Sequence, residues 1–413
     1  MMRVLFYLPV VTRHWLNTLL APLIRRMEHE AEVHIVAPVS WRNTGITEAM
    51  LRQCQDLTQV RWHLLDGPDH QSYRIAPEAP EALIDFVRAI GPDYSFCRST
   101  DITTPMQFPG EVRFLMEGDY PPLLGDDRPH SDRIMLSGPR LFDYGAMPPL
   151  TEGQRVRLRA HSAPLWEQFR ARDPGFPGGR QAYLAAAGLP DDRPILAVPL
   201  QFESTNNFFE HLCRYPGNEQ FFAELLRMID GDCILAVTPH PQWAVQPPEF
   251  QEKIFASLKR IAGMDPDRVR VVTRPGDLRQ LTRWLTQYSD GMILRDSKTI
   301  ATAAFYGKPF LRLSHFASGD WMNAYTDPAA FLSDIRAGRA RAAALEDALT
   351  WFAFHHANNS FVPQESDQSF AQLLDRVDKP VNPDRWEANL QRHRRDFANW
   401  FATPLAGKPE REI

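Results

Sequence analysis

The chain has 413 residues and a formal net charge of −5, with 44% hydrophobic and 23% charged residues, a composition normal for a soluble globular protein. The signs are well mixed, so no basic block points to nucleic acid and no strong electrostatic membrane anchor is present. The length exceeds one ordinary core and implies two domains with appendages, and the four cysteines, Cys54, Cys97, Cys213 and Cys233, have neither metal-ligand nor redox spacing and read as reduced thiols.

The apolar opening Met1 to Leu8 is too short for a signal peptide, and no stretch approaches the ~20 apolar residues of a membrane span, so the expected location is cytoplasmic. Residues 3–8 read as a strand. Thr12 to Glu28 reads as a helix with apolar positions at Trp15, Leu19, Leu20, Leu23, Ile24 and Met27, and Val33 to Ala37 is the next strand. This βαβ opening predicts a Rossmann-like domain. Its first turn, Pro9 to Arg13, lacks the glycine fingerprint of dinucleotide sites, which argues against NAD or FAD.

Pro80 to Ile90 reads as a helix and Asp93 to Cys97 as a strand with Arg98-Ser99-Thr100-Asp101 at its carboxyl end. Val112 to Met116 is a strand that runs into Glu117-Gly118-Asp119. Glu117 and Asp119 beside a glycine turn are either a solvated turn or carboxylates able to act as general base towards a hydroxyl. Residues 150–190 read as a helical connector broken at Pro174 to Gly179, which places a domain boundary near 180–190.

A second series then begins. Ile195 to Leu200 is a strand ending in Gln201-Phe202-Glu203, and Asn218 to Ile229 is a helix. Ile234 to Val237 is a continuous apolar run, the mark of a central strand buried on both faces, and after Thr238 it stops at Pro239-His240-Pro241. Ligands of open α/β sheets bind beyond the carboxyl ends of such strands, so His240 is placed to donate to a phosphate or move a proton, with two prolines restricting its backbone. A loop histidine between turn prolines is the plainer alternative. A helix spans Glu249 to Gly263, a strand 269–272 and a helix Leu278 to Tyr288, which predicts a sheet of at least four parallel strands. Gly291 to Leu294 is a further strand, followed by Arg295-Asp296-Ser297-Lys298-Thr299 and a short helix to Tyr306. Asp296 or Ser297 is a natural N-cap, and the turn is either an ordinary capped βαβ connection or a phosphate seat. Helices are expected at Pro328 to Ile335, Arg339 to His356 and Asp384 to Phe401, the last too aromatic to be a free tail. His355-His356 face different ways on a helix, which disfavours a shared metal.

Pro199-Leu200-Gln201, His240-Pro241, and Ser297-Lys298-Thr299 with Gly307-Lys308-Pro309 occur in the order seen in a known family. Together with Met116-Glu117-Gly118, they resemble the bacterial capsule and O-antigen polysaccharide biosynthesis proteins that include the Kdo transferases. The resemblance is good over roughly residues 195–315 and loose in the N-terminal half. It implies α/β architecture of the GT-B kind: two Rossmann-like domains facing a cleft, with C-terminal helices returning to the first domain. The expected division is residues 1–185, an acceptor domain with connector; 186–330, the nucleotide-sugar domain; and 331–413, the returning helices. The implied activity is glycosyl transfer from a CMP-linked sugar to a glycan or glycolipid acceptor, at the inner membrane periphery or in a polysaccharide assembly complex. Gln201, His240, Pro241, Arg295, Ser297, Lys298 and Thr299 are then the donor-nucleotide residues, with no cofactor and no metal. The family has an Asp four residues after its Gln, where this chain has Thr205. Glu203, Glu117 and Asp119 are therefore the candidate catalytic carboxylates. An epimerase or polyol-phosphate transferase of the same plan, or an inactive scaffold, are the other readings.

Overall fold

A computed structural model of the chain describes residues 1–40, 44–66, 73, 76–118, 133–203, 213–229, 231–364, 369–378 and 383–402. The N-terminal strands are β1 (Met2–Tyr7), β2 (Ala31–Pro38), β3 (Arg61–Leu65), β4 (Tyr94–Cys97), β5 (Glu111–Glu117) and β6 (Ile134–Ser137). The second series comprises β7 (Ile195–Pro199), β8 (Ile234–Thr238), β9 (Val269–Val271), β10 (Gly291–Leu294) and β11 (Phe310–Arg312). A last two-residue strand, β12 (Ser360–Phe361), comes from the C-terminal region. The first sheet has the order β12-β6-β5-β4-β1-β2-β3 and the second β11-β10-β7-β8-β9. All pairings in the second sheet are parallel; in the first, only β6 and β12 run antiparallel. Two Rossmann-like units therefore make up the α/β architecture, as the resemblance implied.

The apolar runs explain the central positions. Every residue of β8 and of β10 is buried. A parallel strand covered by helices on both faces must be apolar along its whole length. The first helix is π-helical over His14–Leu20 and α-helical over Ala21–Met27. Pro22 has no N–H with which to reach the Thr18 carbonyl, and the Gln364 side chain donates to that oxygen instead. The helix expected from Arg339 begins only at Leu345. β3, β6, β12 and the helix Glu48–Arg52 were not foreseen. No helix among the described residues is long and apolar enough to cross a membrane.

The chain beyond the second sheet packs back on the first half. Phe361 lies in the core between the first sheet and its helices, beside Phe370. Arg133 fixes the return, its guanidinium donating to the carbonyls of Ser360 at 2.9 Å and His356 at 3.2 Å. Trp166 and Phe169 of the helix Glu152–Ala171 pack against Phe305, Phe352 and Phe397. The two histidines of the sequence pair each meet a backbone carbonyl, His355 Nε2 at Gly118 and His356 Nδ1 at Phe352, both at 3.0 Å.

The two units are joined by the segment Phe142 to Gly145. Arg312 at the end of β11 donates to the carbonyls of Phe142 and Ala317, and to Ser318 Oγ at 3.1 Å. It lies 3.4 Å from Asp296, with both side chains at most 2% exposed. Tyr144 sits under the guanidinium and donates its hydroxyl to the Asp296 carbonyl at 3.0 Å. Trp321 Nε1 donates to the Gly145 carbonyl at 2.7 Å. Gly319 lets these segments approach, because a Cβ there would collide with the Gly145 carbonyl.

Removing one member of a buried, hydrogen-bonded charge pair leaves the other charge unpaired, at about 3–5 kcal/mol. Arg312→Met should lower the stability of the chain by about that much. Chemical denaturation should show an earlier midpoint with loss of both units together, and an unchanged midpoint would mean Arg312 does not join them.

Candidate functional site

β8 ends at Thr238, and Pro239 carries the chain out of the sheet to His240. A 3-10 turn, Pro241–Val245, follows at once. His240 Nδ1 accepts a hydrogen bond from the Gln242 N–H at 3.2 Å. In the neutral imidazole the proton is then on Nε2, which is left as a donor. The Phe202 ring lies 5.7 Å from the imidazole. Burial pushes the His240 pKa down to about 4, against an opposing pull from Glu117.

The turn after β10 lies beside it. Ser297 Oγ accepts from the Thr299 N–H at 3.2 Å and shares a hydrogen bond with the Thr299 hydroxyl. Of the two expected cap residues, then, the hydroxyl of Ser297 serves the start of the helix Thr299–Phe305, while Asp296 faces Arg312 and Ser314. Lys298 reaches across to the other unit, where its Nζ is 2.9 Å from Glu117 Oε2. Glu117 ends β5 in the first sheet. Lys298 is the chief reason its carboxyl is held down to about 2, helped by Arg98 and opposed by burial. The side chain is nonetheless half exposed to water within the cleft.

These groups surround one cavity of about 430 Å3. The second unit lines it with Gln201, His240, Pro241, Ser297, Lys298 and Thr299, and the first with Arg98, Met116 and Glu117. Phe142 and Tyr144 of the joining segment form its floor. Six of the seven expected donor residues and Glu117 thus meet at the facing carboxyl ends of the two sheets. That is the position open α/β sheets reserve for ligands.

Two expected residues do not join them. Arg295 is 6% exposed and lies inside the second unit, donating to Asn218 Oδ1 at 3.3 Å and to the Tyr215 carbonyl, over the Phe221 ring. The residue follows a strand buried on both faces, and its guanidinium is taken up by the interior, so it is a structural residue. Glu203 does not line this cavity either. Its carboxylate accepts the N–H of Asn218, the first residue of the helix Asn218–Met228, and so acts as that helix's cap. It borders a smaller void of about 20 Å3, which shares Gln201, Phe202 and His240 with the cavity. Burial raises its pKa. β7 ends at Pro199, so the side-chain alternation of an extended strand no longer governs Glu203. Asp119 and Thr205 lie outside the described residues.

Sequence reasoning passed over Arg279, Phe142 and Tyr144 as cavity residues. Arg98, at the carboxyl end of β4 where a ligand was expected, lines the cavity without having been named as a site residue. Phe142 and Tyr144 belong to no strand or helix and gave no periodic signal.

No protein-family model matches the chain, and no curated protein matches it. Among solved structures, Thermosulfurimonas dismutans KpsC, a beta Kdo 2,7 transferase, is 12% identical over 81% of this chain and 98% of its own, with a TM-score of 0.41. Anabaena Alr3699/HepE in complex with UDP and glucose is 10% identical over 92% of this chain and 98% of its own, with a TM-score of 0.28. The UDP-GlcNAc 2-epimerase from Neisseria meningitidis bound to UDP-GlcNAc is 13% identical over 96% and 99%, with a TM-score of 0.22. At TM-scores this low the likenesses decide nothing, and the chain's own residues carry the functional reading.

The depressed His240 pKa has a measurable sign. The folded chain binds fewer protons than the unfolded chain between pH about 4 and the ordinary histidine value of ~6.5. Its contribution to stability is therefore full above pH ~6.5 and is lost as the pH falls through that window. NMR titration of the His240 ring should give a midpoint near 4, moving lower still in Glu117→Gln, which removes the opposing pull. A midpoint near ~6.5 would mean that the ring is solvated.

Proposed function

We propose that the chain is a glycosyltransferase that takes a nucleotide sugar, CMP-linked, and passes the sugar to a surface-polysaccharide acceptor. The observation that carries this reading is the single cavity in which His240 and the Ser297–Thr299 turn of one sheet face Glu117 of the other. The donor phosphate lies between His240 and Lys298. His240 donates from Nε2, and Lys298 supplies a point charge. The Ser297 and Thr299 hydroxyls complete the seat. Gln201 and Pro241 shape the wall beside it.

Glu117 handles the acceptor. The acceptor oxygen bonds to the anomeric carbon as the bond from that carbon to the phosphate oxygen breaks. The phosphate leaves with the electron pair, and the hydroxyl proton passes to the Glu117 carboxylate. Paired with Lys298, that carboxylate is too weak a base for the step. A phosphate drawing Lys298 away removes the largest cause of its low pKa. Donor binding thus prepares the base. The phosphate charge is met by fixed donors throughout, which is where most of the barrier reduction in such transfers arises.

A non-catalytic nucleotide-binding scaffold is the second reading, favoured by the capping role of Glu203 beside a position where the resembled family has an Asp. Turnover separates the two. A thermal-shift screen against CMP, UDP, GDP and CDP comes first, since ligand stabilisation rises with occupancy and CMP should raise the melting temperature most.

His240→Ala should weaken nucleotide binding by ~1.5–3 kcal/mol, about tenfold to a hundredfold, with the melting temperature nearly unchanged. Calorimetry reads this directly, and unaltered affinity removes His240 from the site. Glu117→Gln should retain nucleotide binding and lose transfer by at least about a hundredfold, a typical share for a general base. Glu203→Gln should stay within a few-fold of the parent. Loss of transfer in Glu203→Gln with full activity in Glu117→Gln would reverse the assignment of the base.

A further inference from the structure

The His355-His356 pair opens the π-helical turn His355–Asn359, between the helix Leu345–Phe354 and the short strand β12. Such turns are rare and recur at functional sites. His355 is 2% exposed, and its ring stacks on Trp351 with centroids 5.2 Å apart. Its Nε2 lies 3.0 Å from the carbonyl oxygen of Gly118, the residue after Glu117. A carbonyl can only accept, so the proton is on Nε2 and the imidazole donates.

The end of β5 depends on that support. Pairing with β4 stops at Phe114, and from there to Glu117 the strand is paired with β6 alone. A strand end secured on one side is among the first parts of a sheet to loosen. Gly118 extends the hold by one residue, its N–H donating to the Arg133 carbonyl at 2.9 Å and its own carbonyl accepting from His355. A Cβ on Gly118 would meet the Ile134 carbonyl oxygen at 2.8 Å, so the backbone here lies directly against β6. Arg133 is itself bound to the carbonyls of His356 and Ser360, so the same turn supplies the imidazole and anchors the other partner of Gly118. Behind His355, the Trp351 ring packs on Trp321 at 5.8 Å, and Trp321 holds the Gly145 carbonyl of the joining segment. The support of Glu117 is thus continuous with the joint between the two units. A buried carbonyl deprived of its donor is unfavourable and moves to find another. Glu117, one residue away, moves with it.

We propose that His355 is a positioning residue for Glu117: through the Gly118 carbonyl it keeps the end of β5 where the Glu117 carboxylate meets Lys298 across the cleft. The use of that carboxylate as a base rests on the glycosyltransferase reading, whereas its placement against Lys298 does not.

The test follows the Glu117 carboxyl carbon by NMR titration of the full chain, the signal being assigned by its loss in Glu117→Gln. In the parent the midpoint should lie near about 2, where Lys298 chiefly holds it. His355→Phe keeps a flat ring on Trp351 and removes the donor, and the midpoint should rise most of the way towards the ordinary ~4.3. His355→Gln, whose amide N–H can reach the same carbonyl, should bring it back down. In parallel, kcat for transfer should fall about tenfold to a hundredfold in His355→Phe and recover in His355→Gln, with CMP affinity unchanged in both, because a reacting group displaced by about 1 Å loses up to that much. A midpoint unmoved in His355→Phe, or raised equally in His355→Gln, overturns the proposal whatever transfer does. If the parent shows no transfer while the midpoint still rises in His355→Phe and returns in His355→Gln, the glycosyltransferase reading falls and the positioning of Glu117 stands. His355→Leu replaces His355→Phe if the latter melts several degrees earlier.

Discussion

The buried guanidinium of Arg312 is the interaction on which the cleft depends. It stands at the end of the edge strand β11 and binds carbonyls of both the joining segment and the second unit. Asp296, 3.4 Å away, is the residue immediately before Ser297. The same network that joins the two units therefore holds the start of the turn that carries Ser297 and Lys298. Any rotation of one unit against the other has to break hydrogen bonds to a buried charge. Such a charge has no water to replace them, so the joint resists opening. The facing of the two sheet ends is a consequence of that joint, and the cavity between them follows.

The Lys298–Glu117 pair crosses the cleft but is a different kind of interaction. Glu117 is half exposed, so water screens the pair and its net contribution to stability is small, at ~0–1 kcal/mol. That weakness suits a site whose lysine changes partners. A ligand phosphate competing for Lys298 displaces a carboxylate that water already solvates. The same displacement from Arg312 would strand a buried Asp296. At the cleft, a dry charge pair thus fixes geometry and a wet one is open to exchange with an anion.

Much of this arrangement was legible in the sequence because burial writes itself as composition. β10 is apolar throughout and β8 up to its last residue, Thr238, and each ends at a polar turn, so His240 and Ser297–Thr299 could be placed at a common edge. The strands that were missed had no such signal. β3, Arg-Trp-His-Leu-Leu, is a half-buried edge strand that carries two charged or polar residues. β12 has two residues and exists because Arg133 and β6 receive it. Contacts between distant segments were equally silent. Nothing in the local pattern of Arg98 announces that Trp15 lies beneath it. Arg295 stays out of the cavity for another reason. A charged residue after a buried strand looks like a ligand group, but Asn218 and Tyr215 offered it an interior place instead.

The two glutamates show how environment, and not residue type, assigns a role. Glu203 was the attractive candidate because it lies near the family's missing carboxylate. The strand stops at Pro199, so the alternation that would turn Glu203 into the cleft is no longer in force there. The start of the helix Asn218–Met228 has free N–H groups to satisfy, and Gly217 before it has no side chain with which to cap them. Glu203 fills that need from the neighbouring strand end, and its negative charge also suits the positive end of the helix. A carboxylate so engaged is held away from an acceptor by the hydrogen bond that stabilises its own helix. Glu117 has the opposite circumstances. It extends from the last residue of β5, no helix start claims it, and its partner is a lysine that a phosphate can attract. Of these two glutamates, Glu117 is the one that lines the cavity and has a partner that an anion can attract.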